Sequence, residues 1–151
     1  MKPQTPYRLH EALGYQLSIT ARIQERRFED RLKQHGLTRI TWCVLLAVNA
    51  ENLTQPSDIA RFIGIDRTAT SRALRQMESD GIIARRSGKD DKRTTHVATT
   101  EKGKALVAAV SPLARENAAY FRNKLSDNEN AELIRLLAKL REGESTELKQ
   151  L

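Results

Sequence analysis

The run RTATSRALR, Arg67 to Arg75, gathers three arginines, two threonines and a serine into nine positions. Guanidinium groups donate hydrogen bonds in a planar fork, and hydroxyls donate or accept at short range. If the run is a helix, Thr70, Ala73, Leu74 and Met77 stand at i, i+3, i+4 and i+7 and take the inward face. Arg67, Thr68, Ser71, Arg72 and Arg75 then turn outward or to the flanks. This chemistry is recognition rather than bond making: arginines pair with guanine edges and hydroxyls reach bases or phosphates in a DNA major groove. The plain alternative is a solvated amphipathic helix, and the neighbouring segments bear on the choice.

A second candidate surface lies in RRSGKDDKRTTHVATT, Arg85 to Thr100. It predicts strand, turn and strand, with Ile82, Ile83, Val97 and Ala98 supplying the apolar contacts of a small hairpin. Lys89, Lys92 and Arg93 fall at its tip, where an arginine is favoured by the negative potential of a narrow minor groove. Carboxylates repel phosphate, so Asp91 fits a supporting role, holding the arginine or tightening the turn. Asp90 reads as part of a solvated charged loop.

What precedes the arginine-rich helix positions it. Ile59, Phe62 and Ile63 give a short helical period, Gly64 and Ile65 a turn, and Asp66 an N-cap for a helix from Arg67 to about Asp80. Two short helices about a glycine turn predict a helix-turn-helix, with the small Ala60 permitting close approach.

Flanking helices complete the layout. A long helix is predicted from about Tyr7 to Gln34, its Leu9, Leu13, Leu17 stripe and its Tyr15, Ile19, Ile23 stripe together covering on the order of 200°. An arc this wide meets either its own chain on two sides or a second subunit. Gly36 ends that helix, and Thr38 or Thr41 caps a mostly buried one through ITWCVLLAV. After the hairpin, Thr100 caps a helix from Glu101 towards Lys124 with Leu106, Val110, Leu113 and Phe121 along one side. Pro112 predicts a kink or break near Ser111. SDNE, Ser126 to Glu129, is a capping box opening a last helix with Leu133, Leu136, Leu137 and Leu140 at i, i+3, i+4 and i+7.

The whole chain narrows the function classes. Its 151 residues are about one domain's worth, and 26 Lys plus Arg against 19 Asp plus Glu give a net charge of +7, consistent with a polyanionic partner. His10, His35, His96 and Cys43 are scattered without metal-ligand spacing, and neither a phosphate loop nor a nucleophile motif is present, so no catalytic residue, metal or cofactor is expected. The N-terminal segment lacks a signal-peptide pattern, and the longest uncharged stretch, Ile40 to Ala50, is too short to span a bilayer. A cytoplasmic location without membrane association is the expectation. Cys43, the single cysteine, sits beside Trp42 in an apolar run with no nearby cation in sequence, which predicts an inert core thiol over a redox sensor.

From about residue 36 to 104 the order of parts resembles the MarR family of winged helix-turn-helix transcriptional regulators. The matching pieces are GLT before the second helix, IARFIGIDRTATSRALRQMESDGIIAR for the reading unit, DKR at the wing tip and TTEKG opening the next helix. Thr70 stands where the family usually places a branched aliphatic residue, and Thr99 replaces its common leucine; both soften side-chain contacts without removing a DNA-facing group.

The resemblance implies a mainly α fold over residues 1–151. Residues 36–104 would form a winged helix-turn-helix with a β-hairpin wing, and residues 7–34 and 105–145 a helical dimerisation region from both termini. It implies a homodimer on a pseudo-palindromic double-stranded DNA operator, acting as a repressor. DNA contacts would fall to Ser57, Arg67, Thr68, Thr70, Ser71, Arg72, Arg75, Lys89, Lys92 and Arg93, with Asp91 as wing support. Leu9, Leu13, Phe121, Leu133, Leu136, Leu137 and Leu140 would face the second subunit. A small aromatic or phenolic anion would bind near the first two helices, where Tyr15, Ile19, Arg22, Trp42 and Leu45 are the wall candidates. The alternatives are a constitutive architectural DNA-binding protein and a redox-responsive regulator using Cys43.

Overall fold

Thr38 begins the core. Its hydroxyl accepts from the Thr41 amide at 3.2 Å while the Thr41 hydroxyl accepts from the Thr38 amide at 2.8 Å, so both threonines named as cap candidates act together as one capping box. The helix they open, α2 (Arg39–Asn49), buries Trp42, Val44, Leu45, Ala47 and Val48. The computed structural model describes residues 6–88 and 94–145. Ahead of α2 runs α1 (Leu13–Gln34), and after it come α3 (Pro56–Ile63), α4 (Arg67–Ser79), strands β1 (Ile83–Ser87) and β2 (Thr95–Thr99), α5 (Glu101–Arg122) and α6 (Asp127–Leu140). The mainly helical winged architecture expected from the sequence is present.

One apolar cluster joins these parts: Leu32 and Leu37, the inner face of α2, Ile59 of α3, Ala73, Leu74 and Met77 of α4, Ile82, Ile83 and Val97 of the hairpin, and Val110 of α5. Each fully buried side chain of this size contributes about 1.5–3 kcal/mol of transfer free energy. The helix-turn-helix is therefore built against α2 and sealed by the hairpin root and by α5. Gly64, left-handed at φ 77°, makes the turn between α3 and α4, and the Asp66 carboxylate accepts from the Ala69 amide at 2.7 Å to cap α4.

Three local expectations need correction. The first helix starts later than Tyr7: Leu9–Glu11 form a 3-10 turn, Ala12 is extended at ψ 128°, and the Gln16 side-chain amide donates to the His10 carbonyl at this break. Nor does Pro112 break α5, which runs through it from Glu101 to Arg122. A proline deprives the carbonyl four residues earlier of its partner, and here Ala108 and Pro112 are both exposed, on the solvent side of the helix. Ala98, finally, is exposed rather than part of the hairpin's apolar side. The antiparallel register pairs Ile83 with Thr99, Ala84 with Ala98 and Arg85 with Val97. Strand alternation thus puts Ile83 and Val97 on the core face and Ala98 on the other.

The terminal helices leave their apolar surface bare. In α1 only Leu32 is buried, and in α6 nothing is. Leu9, Leu13, Leu17 and Ile23 are exposed at one end of the chain and Leu133, Ile134, Leu136 and Leu140 at the other, while Phe121 and Leu137 are half-buried. Among the described residues nothing wraps the Leu9, Leu13, Leu17 stripe of the first helix, while Tyr15 and Ile19 of its other stripe are half-buried. α1 does lie along α5: Arg31 donates to both Glu116 oxygens at 2.6 and 2.9 Å, and the Arg27 guanidinium stacks 3.7 Å above the Tyr120 ring.

Candidate nucleic-acid interface

The α4 stripe assigned from periodicity is the stripe observed. Thr70, Ala73, Leu74 and Met77 are buried, and Arg67, Thr68, Ser71, Arg72 and Arg75 are all exposed. Thr70 is the exception within the candidate contact set. It is 1% exposed and its hydroxyl donates to the Asp66 carbonyl at 2.9 Å, so it holds the first turn of α4 together and is withdrawn as a DNA contact. This back-bond also explains how a threonine substitutes for an aliphatic residue in the core: its one polar atom is satisfied within the helix.

Cations on the outer face of α4 differ from several arginines elsewhere. Arg31, Arg39, Arg85, Arg122 and Arg135 are each held by a carboxylate. Among the described residues Arg67, Arg72 and Arg75 have no ion pair; Arg75 only touches the Ser71 carbonyl at 3.4 Å. Three unneutralised guanidinium groups on one helical face create a local positive field with hydroxyls interleaved. Beside it is an open groove of about 480 Å³ lined by Pro56, Ser57, Arg67, Thr70 and Ser71. Half-buried Ser57, in the first turn of α3, thereby joins the α4 residues at one concave place, with Thr70 as floor.

The hairpin root is tied on three sides. The Val97 amide donates to the Thr54 carbonyl at 2.8 Å, Arg85 donates to Glu78 in the last turn of α4, and the Thr100 amide donates to the Ile82 carbonyl at 3.1 Å. The Arg85 hydrogen bond keeps the Glu78 carboxyl below its ordinary range. Beyond the root Arg86 is exposed in β1, a cation the sequence reading left unassigned. Lys89, Asp91, Lys92 and Arg93 lie outside the described residues. The Arg85–Glu78 pair was also missed; the available signal was an arginine aligned with Val97 on the inner strand face, close after an acidic last helical turn.

The residues named for an effector wall do not come together. Tyr15 is half-buried against His10, ring centroids 4.7 Å apart, whereas buried Trp42 meets Phe28 edge-on at 6.3 Å. Thirteen residues of α1 separate Tyr15 from Phe28, about 20 Å of helix. Leu45 is wholly buried in the core, Ile19 is half-buried, and Arg22 is exposed with its guanidinium on the Ser18 hydroxyl at 2.9 Å. Cys43 is half-buried. Burial pushes its thiol up, as expected, but Arg39 one turn earlier pulls the other way, so the expectation of no nearby cation fails. Among the described residues no three His, Cys, Asp or Glu side chains gather to hold a metal ion, and no helix is long and apolar enough to cross a membrane.

A sequence profile of the MarR family matches residues 35–94, the span holding α2, the helix-turn-helix and the first half of the wing. The match covers the reading head, less than half of the chain. The structural neighbours include transcriptional regulators. The transcriptional regulator SlyA is similar at 26% identity over 84% of this chain and 89% of that one, with a TM-score of 0.77. BpsR of Bordetella bronchiseptica, whose DNA binding is regulated by 6-hydroxynicotinic acid, superposes with a TM-score of 0.84 at 21% identity, covering 93% and 100% of the two chains. MepR of S. aureus, solved in complex with DNA, gives 0.78 at 22% identity over 87% and 95%. These likenesses extend over α1, α5 and α6, well beyond the profile match, so the MarR fold accounts for the helical flanks as well as for the reading head.

Proposed function

We propose that this chain is a MarR-family regulator, a homodimeric, sequence-specific repressor whose α4 reads a major groove and whose release is triggered by a small aromatic acid. The observation that carries the reading is the outer face of α4, where Arg67, Thr68, Ser71, Arg72 and Arg75 are exposed and the arginines lack carboxylate partners among the described residues. Ser57 beside the groove fits a phosphate contact that fixes register, since phosphate contacts position a protein and base contacts give specificity. Lys89, Lys92 and Arg93 are proposed as the wing-tip contacts, supported by Asp91.

A second copy is the proposed cover for the bare apolar faces of α1 and α6, through Leu9, Leu13, Phe121, Leu133, Leu136, Leu137 and Leu140. Two-fold symmetry then sets two reading heads on a pseudo-palindrome with half-sites roughly one helical turn, about 10 base pairs, apart. MepR and BpsR support the DNA and effector parts of the reading by analogy. Arg22, exposed and without a carboxylate partner among the described residues, is the candidate anion contact near α1.

The test is selection of bound duplexes from a random pool, followed by release assays with hydroxylated aromatic acids. Enrichment of an inverted repeat, and loss of binding on adding one such acid, are the expected results. A selected site that no acid releases favours the constitutive alternative; loss of binding only on oxidation favours the Cys43 alternative.

A further inference from the structure

The C-terminal end of α4 is bolted to the first turn of α5. The Lys102 ammonium donates to the Asp80 carbonyl at 2.7 Å. The Thr100 hydroxyl lies 2.7 Å from the Gly81 carbonyl and 3.0 Å from that of Ile82, and it accepts from the Gly103 amide at 3.1 Å. Three consecutive carbonyls that leave the recognition helix are thereby taken up by one turn of another helix, where the positive end of the α5 dipole meets the negative end of α4.

Gly103 is what lets these turns touch. A Cβ added there would stand 2.3 Å from the Ile82 oxygen and 3.3 Å from its carbonyl carbon. Both obstacles are backbone, so no rotamer change relieves them. Side-chain carbons essentially never approach closer than 3.0 Å, so the two elements must part by at least about 0.7 Å.

α5 converts that displacement into a change of spacing. It is continuous from Glu101 to Arg122, seated in the core at Val110 and lined against α1 by Glu116 and Tyr120. At about 1.5 Å per residue, Gly103 is about 10 Å from Val110, and Phe121 about 16 Å beyond it. Pivoting at Val110 magnifies a shift at the first turn about 1.6-fold at the far end, and each subunit contributes its own.

We propose that Gly103, with Lys102 and Thr100, is a positioning element for DNA reading: it fixes the angle between recognition helix and dimerisation helix, and so the distance between the two reading heads. The proposal rests on the dimeric, sequence-specific reading above. It assigns to these residues no contact with DNA.

The experiment uses a duplex that the wild-type protein selects from a random pool, together with the same duplex carrying one inserted base pair between its half-sites. Affinities for both are measured for wild type, Gly103→Ala, Lys102→Ala and Lys102→Arg across a salt series, with circular dichroism and sedimentation on each. Gly103→Ala and Lys102→Ala should lower the preference for the native spacing by about tenfold, comparable to one mismatched base pair, while the salt slope stays unchanged; Lys102→Arg should keep the wild-type preference. An unchanged preference in folded, dimeric Lys102→Ala overturns the proposal. A fall of about one unit in salt slope at unchanged preference also overturns it, because Lys102 would then be a phosphate contact. Should Gly103→Ala fail to fold, the Lys102 pair decides, and a Lys102→Ala protein that melts overturns the proposal as well, since the exposed lysine would be a stability element. A wild-type protein that selects no sequence sinks the proposed function instead.

Discussion

Arg85 and Glu78 belong to different elements, and one Glu78 oxygen accepts from both Nε and Nη2 of Arg85, at 2.8 and 2.5 Å. The pair ties the last turn of α4 to β1.

Glu78→Gln should lower thermal stability near neutral pH, and the pH dependence of the loss identifies the cause. The Arg85 hydrogen bond depresses the folded carboxyl below 4.5, so its contribution is complete above 4.5 and disappears as pH falls through the lower folded value. Melting curves for wild type and variant should therefore differ at neutral pH and converge in acid. A difference that persists in strong acid would assign the loss to side-chain contacts rather than to the ion pair.

On the face of α4, Arg72→Ala or Ser71→Ala should cost about 1–3 kcal/mol on the selected duplex and relax its preference at particular base pairs. Thr70→Val serves as the internal contrast. It deletes a hydroxyl that already donates within the helix, so it should change stability by about 0.5–1.5 kcal/mol and leave sequence preference alone. Titration against selected and scrambled duplexes separates the two; a Thr70→Val protein with altered preference would restore Thr70 as a contact.

Arg93→Ala should weaken binding to most sequences and make the salt dependence shallower by roughly one unit, as for the loss of one phosphate contact. Affinity measured over a salt series checks this, and an unaltered slope would remove the wing tip from the interface.

Much of the architecture was legible because the sequence states its own punctuation. Thr38, Asp66, Thr100 and Ser126 each precede a helix, and each caps it through a side-chain oxygen. The α4 stripe was legible for the same reason, since a period of 3.6 needs no tertiary information. What escaped depended on contacts between distant segments. Tyr15 and Trp42 both look like pocket walls in one dimension, yet Tyr15 meets His10 ahead of α1 and Trp42 meets Phe28 far along it. TTEKG signalled a capped helix, but that Gly103 abuts Ile82 follows only once the hairpin has folded back. Arg85 reads as one more cation in a basic run until Glu78 lies across from it. Pro112 shows the converse: an interior proline did not break α5, at a place where Ala108 and Pro112 are both exposed.

Replacing Leu133 and Leu136 together with glutamate should convert the protein to a monomer without unfolding it, since both side chains are already exposed in the single chain. Burial of like charges across a two-fold axis is costly and leaves the intrachain core untouched. Sedimentation and circular dichroism test it; a dimer that survives both substitutions would place the subunit contact elsewhere.

The central claim is that two symmetric copies of α4 read one operator, and selection from random duplexes followed by footprinting addresses it most directly. The account predicts an inverted repeat with half-site centres about 10 base pairs apart, protected over both halves, with the preference relaxed at the same base pair of each half by Arg72→Ala. A selected site without inverted symmetry, or equal enrichment by wild type and Arg72→Ala, would contradict it.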